Sequence, residues 1–142
     1  TPLILALVDH PSHEGPHLMT SATDQAIEQE IQAKGLTAPR VTPADLQVNI
    51  AHEHYFTAAD GVQTAGAVHL PAGEGWTLGS LQLLTICVLV LRNGFTVTGE
   101  SACASPENFD AEVGRKIARD NAVAKVWPLM GYALKHHLND EA

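Results

Sequence analysis

An apolar run, Leu84-Thr-Ile-Cys-Val-Leu-Val-Leu91, meets Asn93-Gly94 and turns back as Phe95-Thr-Val-Thr98. Asn-Gly between two strand-forming segments is the strongest short-range hairpin signal, because both central residues of the favoured turn need positive φ. A two-residue turn here pairs Arg92 with Phe95, Val90 with Val97 and Val88 with Gly99 on one face, and Leu91 with Thr96 and Leu89 with Thr98 on the other. The first strand is apolar on both faces. It therefore calls for cover on both, from a helix of its own chain and from another layer or another subunit.

A helix start follows at Ser105-Pro106-Glu107-Asn108: a side-chain oxygen at the cap, proline where no amide partner is needed, and an acid in the first turn. The helix is expected to reach Trp127. Pro128 removes a donor and clashes with the preceding turn, which predicts a kink or break and a last short helix over Leu129 to Leu138. At 100° per residue, Phe109, Val113, Ile117, Ala124 and Trp127 fall on one stripe, with Ala111, Ala118 and Ala122 nearly opposite. The bulky stripe is the expected face on the hairpin. The alanine stripe permits close approach of a second helix, of this chain or, the favoured reading, of a symmetry mate.

Upstream, Ser21 with Asp24 starts a helix to Lys34, stopped by Gly35, and Thr42-Pro43-Ala44-Asp45 starts another that carries Leu46 and Ile50 and brings the chain to His54-Tyr55-Phe56. Thr57 to Gly61 ends or redirects it. The glycine-rich stretch from Gly61 to Gly79 reads as a long loop lining a site or a subunit contact, anchored by Trp76. Residues 1–18 read as an extension ahead of Met19, leaving a single α+β domain over residues 19–142: a central antiparallel β-hairpin sheet packed by a long C-terminal helix, with N-terminal helices.

A formal net charge of -8 argues against binding along extended nucleic acid or at an anionic membrane surface. The first apolar run, Leu3 to Val8, lacks the flanks of a signal peptide, and no window is long enough to span a bilayer. Cys87 and Cys103 form no metal or redox spacing, which fits small buried residues in a reducing compartment. These features together predict a soluble, cytoplasmic protein.

Neither a phosphate-cradling loop, a dinucleotide fingerprint nor a nucleophile elbow is present. Histidines and acids at Asp9, His10, His13, Glu14 and His17, with His52-Glu53-His54 and His136-His137, leave a metal-dependent enzyme as a remote alternative; the bland reading is a solvated tail, and neighbouring helix residues that point to different faces. What the sequence selects instead is a recognition surface. It comprises Phe95 on the hairpin, Asn108, Phe109 and Asp110 at the helix start, and Arg115, Arg119, Asn121 and Lys125 along the helix. Aromatic faces stack on bases, guanidinium forks hold phosphates, and free amides at a helix start favour anions. Phe109 reads first as a core residue and only second as a stacking ring, and Arg115 and Arg119 are equally surface partners for Glu112.

Three stretches carry a family resemblance: Glu53 to Gly61, Leu91-Arg-Asn-Gly-Phe-Thr-Val-Thr-Gly-Glu-Ser101, and Pro106-Glu-Asn-Phe-Asp-Ala-Glu-Val-Gly-Arg-Lys-Ile-Ala-Arg119. From Val41 to Leu138 the chain resembles the gene-49/gene-66 family of small tailed-phage and prophage accessory proteins, which is similar to the anti-Thoeris sponge proteins of phages. The resemblance implies a non-enzymatic, cofactor-free protein of the infected cell. It would sequester glycocyclic ADP-ribose signals made by TIR-domain defence enzymes, and in some members cyclic trinucleotides, with the ligand held between protomers of a homo-oligomer. Carried over, the ligand contacts are Phe109, Asp110, Arg119 and Asn121, then Phe95, Asn108 and Arg115. The competing reading, motivated by the acidic charge, is a protein-interaction inhibitor of a host defence or nucleic-acid-processing enzyme.

Overall fold

The computed structural model describes residues 22–70 and 78–142. The acids and histidines from Asp9 to His17, the cap Ser21 and the anchor Trp76 lie outside the described residues. In chain order the elements are α1 (Ala22–Ala33), α2 (Pro43–Asn49), β1 (Ile50–Thr57), α3 (Ala58–Val62), a 3-10 turn (Ser80–Leu83), β2 (Leu84–Leu91), β3 (Thr96–Ala102), a 3-10 turn (Pro106–Asn108) and α4 (Ala111–Asp140). Three antiparallel strands in the order β1-β2-β3 form one sheet, with α4 packed on it. This is the expected α+β class.

The hairpin forms where the sequence predicts it, but one residue out of the expected register. Leu91 N donates to Phe95 O at 2.8 Å and Gly94 N to Leu91 O at 2.8 Å, so the loop holds Arg92, Asn93 and Gly94. Gly94 supplies the positive φ, 88°, and Asn93 Oδ1 accepts from Phe95 N at 2.9 Å, the arrangement of a type I turn closed by a left-handed glycine. Leu89 then faces Val97, Cys87 faces Gly99, and Val88 and Val90 face Thr98 and Thr96. A one-residue slip moves every side chain to the other face. The observed register places Cys87, Leu89, Leu91, Val97 and Gly99 on one buried face and sends Thr96, Thr98 and Glu100 the other way. The two-residue turn would have split Leu89 from Val97.

The second helix is shorter than its start signal suggested. Thr42 and Asp45 form a reciprocal capping box, at 3.1 and 2.9 Å, yet α2 ends at Asn49 and the chain becomes a strand. Ile50 to Thr57 alternates: Glu53 and Tyr55 lie opposite the buried Leu89 and Cys87, while His52, His54 and Phe56 are exposed on the far face. A second capping box, Thr57 with Asp60, opens α3.

The long helix also begins later than expected. Ser105 makes no capping bond and only a 3-10 turn follows it; the cap is Asp110, whose Oδ1 accepts from Val113 N at 2.9 Å. Pro128 does not end the helix, which runs on through it to Asp140 with no separate last helix. Pro128 and Ala124 are both exposed, so the carbonyl that proline leaves without a partner faces water.

The packing face of α4 is the opposite of the expected one. Ala118 and Ala122 are fully buried against the sheet, whereas Val113 and Ile117 are 52% and 46% exposed. Gly99 explains the inversion. A Cβ there would lie 2.1 Å from Ala118 O and 2.3 Å from Ala122 N, so helix and strand meet backbone to backbone, and only small residues fit between them. The alanine stripe mates with β3 of its own chain rather than with a symmetry-related helix. Leu46, Leu89, Val126 and Met130 complete the core around it. On the far sheet face Ile86, Val88 and Val90 are half-buried.

Candidate functional site

The start of α4 makes a small cleft. The chain leaves β3, turns through Cys103 to Asn108, and enters the helix at Asp110. Cys103 Sγ donates to Ser105 O at 3.2 Å, while Asn108 N and Phe109 N donate to Ser105 O and Pro106 O at 3.0 and 3.2 Å. Those bonds hold Asn108, Phe109 and Asp110 against a cavity of about 180 Å³, closed by Leu83, Ser101, Val113 and Ile117. Gly114 forms part of its floor, where a Cβ would lie 2.9 Å from Thr85 Oγ1. The N-terminus of a 30-residue helix adjoins the same cavity, and its unpaired amides favour an acceptor or an anion there.

Arg119 belongs to a different environment. It is 8% exposed; its Nε donates to Glu53, and its Nη2 to Gln47 Oε1 at 2.6 Å. One guanidinium thereby ties α4 to β1 and α2. Tyr55 and Cys87 stand beside this network as cross-strand neighbours. Burial, the largest cause, pushes the Cys87 thiol up to about 11 and the Tyr55 phenol above its usual value, with the Glu53 carboxylate adding to both. Both groups therefore stay protonated at neutral pH.

The remaining expected contacts are dispersed. Phe95 is 55% exposed at the hairpin turn, roughly 20 Å along β3 from the cleft at ~3.3 Å per strand residue. Asn121 Nδ2 donates to Glu100 O at 2.8 Å, covering a carbonyl of β3. Arg115 and Lys125 are exposed and make no hydrogen bond or ion pair among the described residues. Of the seven expected contacts the fold gathers three, Asn108, Phe109 and Asp110, in one cleft. Gln47 carried no signal in the sequence beyond its place on α2. Glu53 did: its inward phase in the alternating run from Ile50 to Thr57 would have put a carboxylate on the core face.

The family model of the phage protein (N4 Gp49/phage Sf6 gene 66) family matches residues 41–138. The chain belongs to this family. Neither a curated protein nor a solved structure matches it. The family segment takes in α2, the whole sheet and α4 down to Leu138, and so both the cleft and the Arg119 network; α1 lies outside it. Among the described residues no group of three or more His, Cys, Asp and Glu side chains comes together to hold a metal, and no helix is long and apolar enough to cross a membrane.

Proposed function

We propose that this phage-family protein captures a cyclic ADP-ribose-type nucleotide signal of bacterial immunity and withholds it, uncleaved, in the cytoplasm of the infected cell. The observation that supports this most is the convergence of Asn108, Phe109 and Asp110 on one cleft beside a long helix's N-terminus. An aromatic ring there stacks a base, Asn108 reads its edge, and the second oxygen of Asp110, not used in capping, accepts from a ribose hydroxyl. Arg115, exposed and without a partner among the described residues, meets the pyrophosphate; Arg119, enclosed against Glu53 and Gln47, is left out of the contact set.

Size decides the rest of the reading. Sites for drug-sized ligands run to about 300–1,000 Å³, and this cleft is about 180 Å³, enough for one end of a dinucleotide-like ring. A second copy closing over the exposed Val113 and Ile117 supplies the other wall, so the capturing form is a homo-oligomer. Equilibrium dialysis with glycocyclic ADP-ribose tests this. Phe109→Ala and Arg115→Ala should each weaken retention about tenfold or more, as loss of a base stack or a phosphate contact does, with the fold unchanged by circular dichroism. Retention unaltered in both variants would remove the cleft from the account.

A further inference from the structure

A second cleft lies between α1 and α2, with a volume of about 510 Å³. Gln47 lines it while being only 7% exposed. Its Oε1 accepts from Arg119 Nη2. A guanidinium has donors and no acceptor, so the chemistry fixes the amide's orientation: oxygen toward Arg119, NH2 away. That NH2 forms no hydrogen bond among the described residues, and its nitrogen is not fully enclosed. Gln47 lines the cleft, so its NH2 is a pre-set donor at that wall, and a mostly buried donor left unspent is a group in want of an acceptor.

The rest of the lining says what sort of acceptor. Glu28 takes both Arg40 Nη1 and Nη2, at 2.5 and 2.6 Å, and Gln32 Nε2 at 3.0 Å, so the cleft's two formal charges satisfy each other. The same bonds hold the Glu28 carboxyl below its usual range. Pro43 and Val48 give an apolar wall on α2, and Gln25 and Gln29 a rim of amides on α1. With no unspent charge, one fixed donor and an apolar side of Pro43 and Val48, the cleft suits a neutral ring bearing a carbonyl. We propose that it is a binding site for a neutral carbonyl-bearing heterocycle of pyrimidine-nucleoside type: the carbonyl accepts from Gln47 Nε2, the ring lies on Pro43 and Val48, and the glutamine rim meets its remaining polar edge. The site is independent of the signal-binding cleft. One of its walls, residues 22–40, lies ahead of the family segment.

Titrating uridine into the 15N-labelled full chain, and reading side-chain and backbone amides by NMR, tests the assignment. The Gln47 NH2 pair should shift saturably, together with backbone amides of α1 and α2. In Gln47→Glu the carboxylate still satisfies Arg119 but offers no donor, so the fold holds by circular dichroism while uridine affinity falls at least tenfold. A Gln47 NH2 pair unmoved at millimolar uridine would overturn the proposal, as would equal binding by Gln47→Glu. Shifts confined to Asn108, Phe109 and Asp110 would also overturn it, and would leave the signal-binding reading standing.

Discussion

Arg119 shows how one residue type supports two opposite expectations. On sequence it sits in a cationic row and invites a phosphate; in the fold its guanidinium is enclosed and bonded to Glu53 and Gln47. Nothing local to the helix announces this, because both partners lie more than sixty residues upstream. Removing the cation leaves a carboxylate facing the core, so Arg119→Ala should lower stability by about 2–3 kcal/mol, below the full penalty for a buried pair because Glu53 keeps 27% of its side-chain exposure. Urea unfolding at neutral pH checks this, and a variant as stable as wild type would contradict it. The two cysteines differ in the same residue-level way. Cys87 is buried with its thiol pushed up to about 11, while Cys103 is half-buried beside the cleft. Iodoacetamide at pH 8 should label Cys103 in the folded protein and reach Cys87 only after denaturation, as peptide mapping would show.

Elements were legible in existence more than in extent or facing. The hairpin, the first capping box and the long helix are all written in local chemistry: Asn93-Gly94, Thr42 with Asp45, and the acid-rich start after Cys103; Thr57 with Asp60, read as an ending, instead opens α3. Facing is a tertiary matter, and it turned on one glycine. The bulky stripe of α4 looked like its core face because volume usually goes inward, but Gly99 lets the helix backbone approach so closely that only Ala118 and Ala122 fit. Strand β1 was hidden by the strength of the capping box just before it; its alternation, with Glu53 and Tyr55 inward, was the competing signal. Two substitutions on the same axis separate close approach from mere helix content. Gly99→Ala pushes a methyl into backbone atoms that cannot rotate away and should cost about 3 kcal/mol or more, the upper end of overpacking. Gly131→Ala, with open space around its Cβ on α4, should gain about 0.5–1 kcal/mol. Thermal melts of the pair should move in opposite directions; a Gly99→Ala melt at the wild-type temperature would refute the backbone contact.

At the scale of the molecule, an α+β unit packs its long helix on the sheet and gathers its polar bonds where α2, β1 and α4 meet. Its pH response follows from that core. Because folding raises the Cys87 thiol from about 9 to about 11, and raises Tyr55 as well, the unfolded chain loses these protons first. Stability is therefore complete below about pH 9 and declines as pH rises toward about 11, which urea midpoints across that range would register. Glu28 works in the acid direction: Arg40 holds its carboxyl down, so its contribution is present above the ordinary value of 4.5 and is lost as pH falls below it. Family membership places this unit among phage proteins, and a net charge of -8 argues against extended nucleic acid as its partner.

The central claim is capture without chemistry, and release by denaturation tests it most directly. The purified protein is incubated with cyclic ADP-ribose isomers and cyclic trinucleotides, freed of unbound ligand, then denatured, and whatever is released is identified by mass. One intact cyclic nucleotide should be retained and returned unchanged. A nucleotide returned with a broken bond would make the protein an enzyme, and nothing retained from the whole panel would contradict the sponge reading in favour of an acidic inhibitor that binds a host protein.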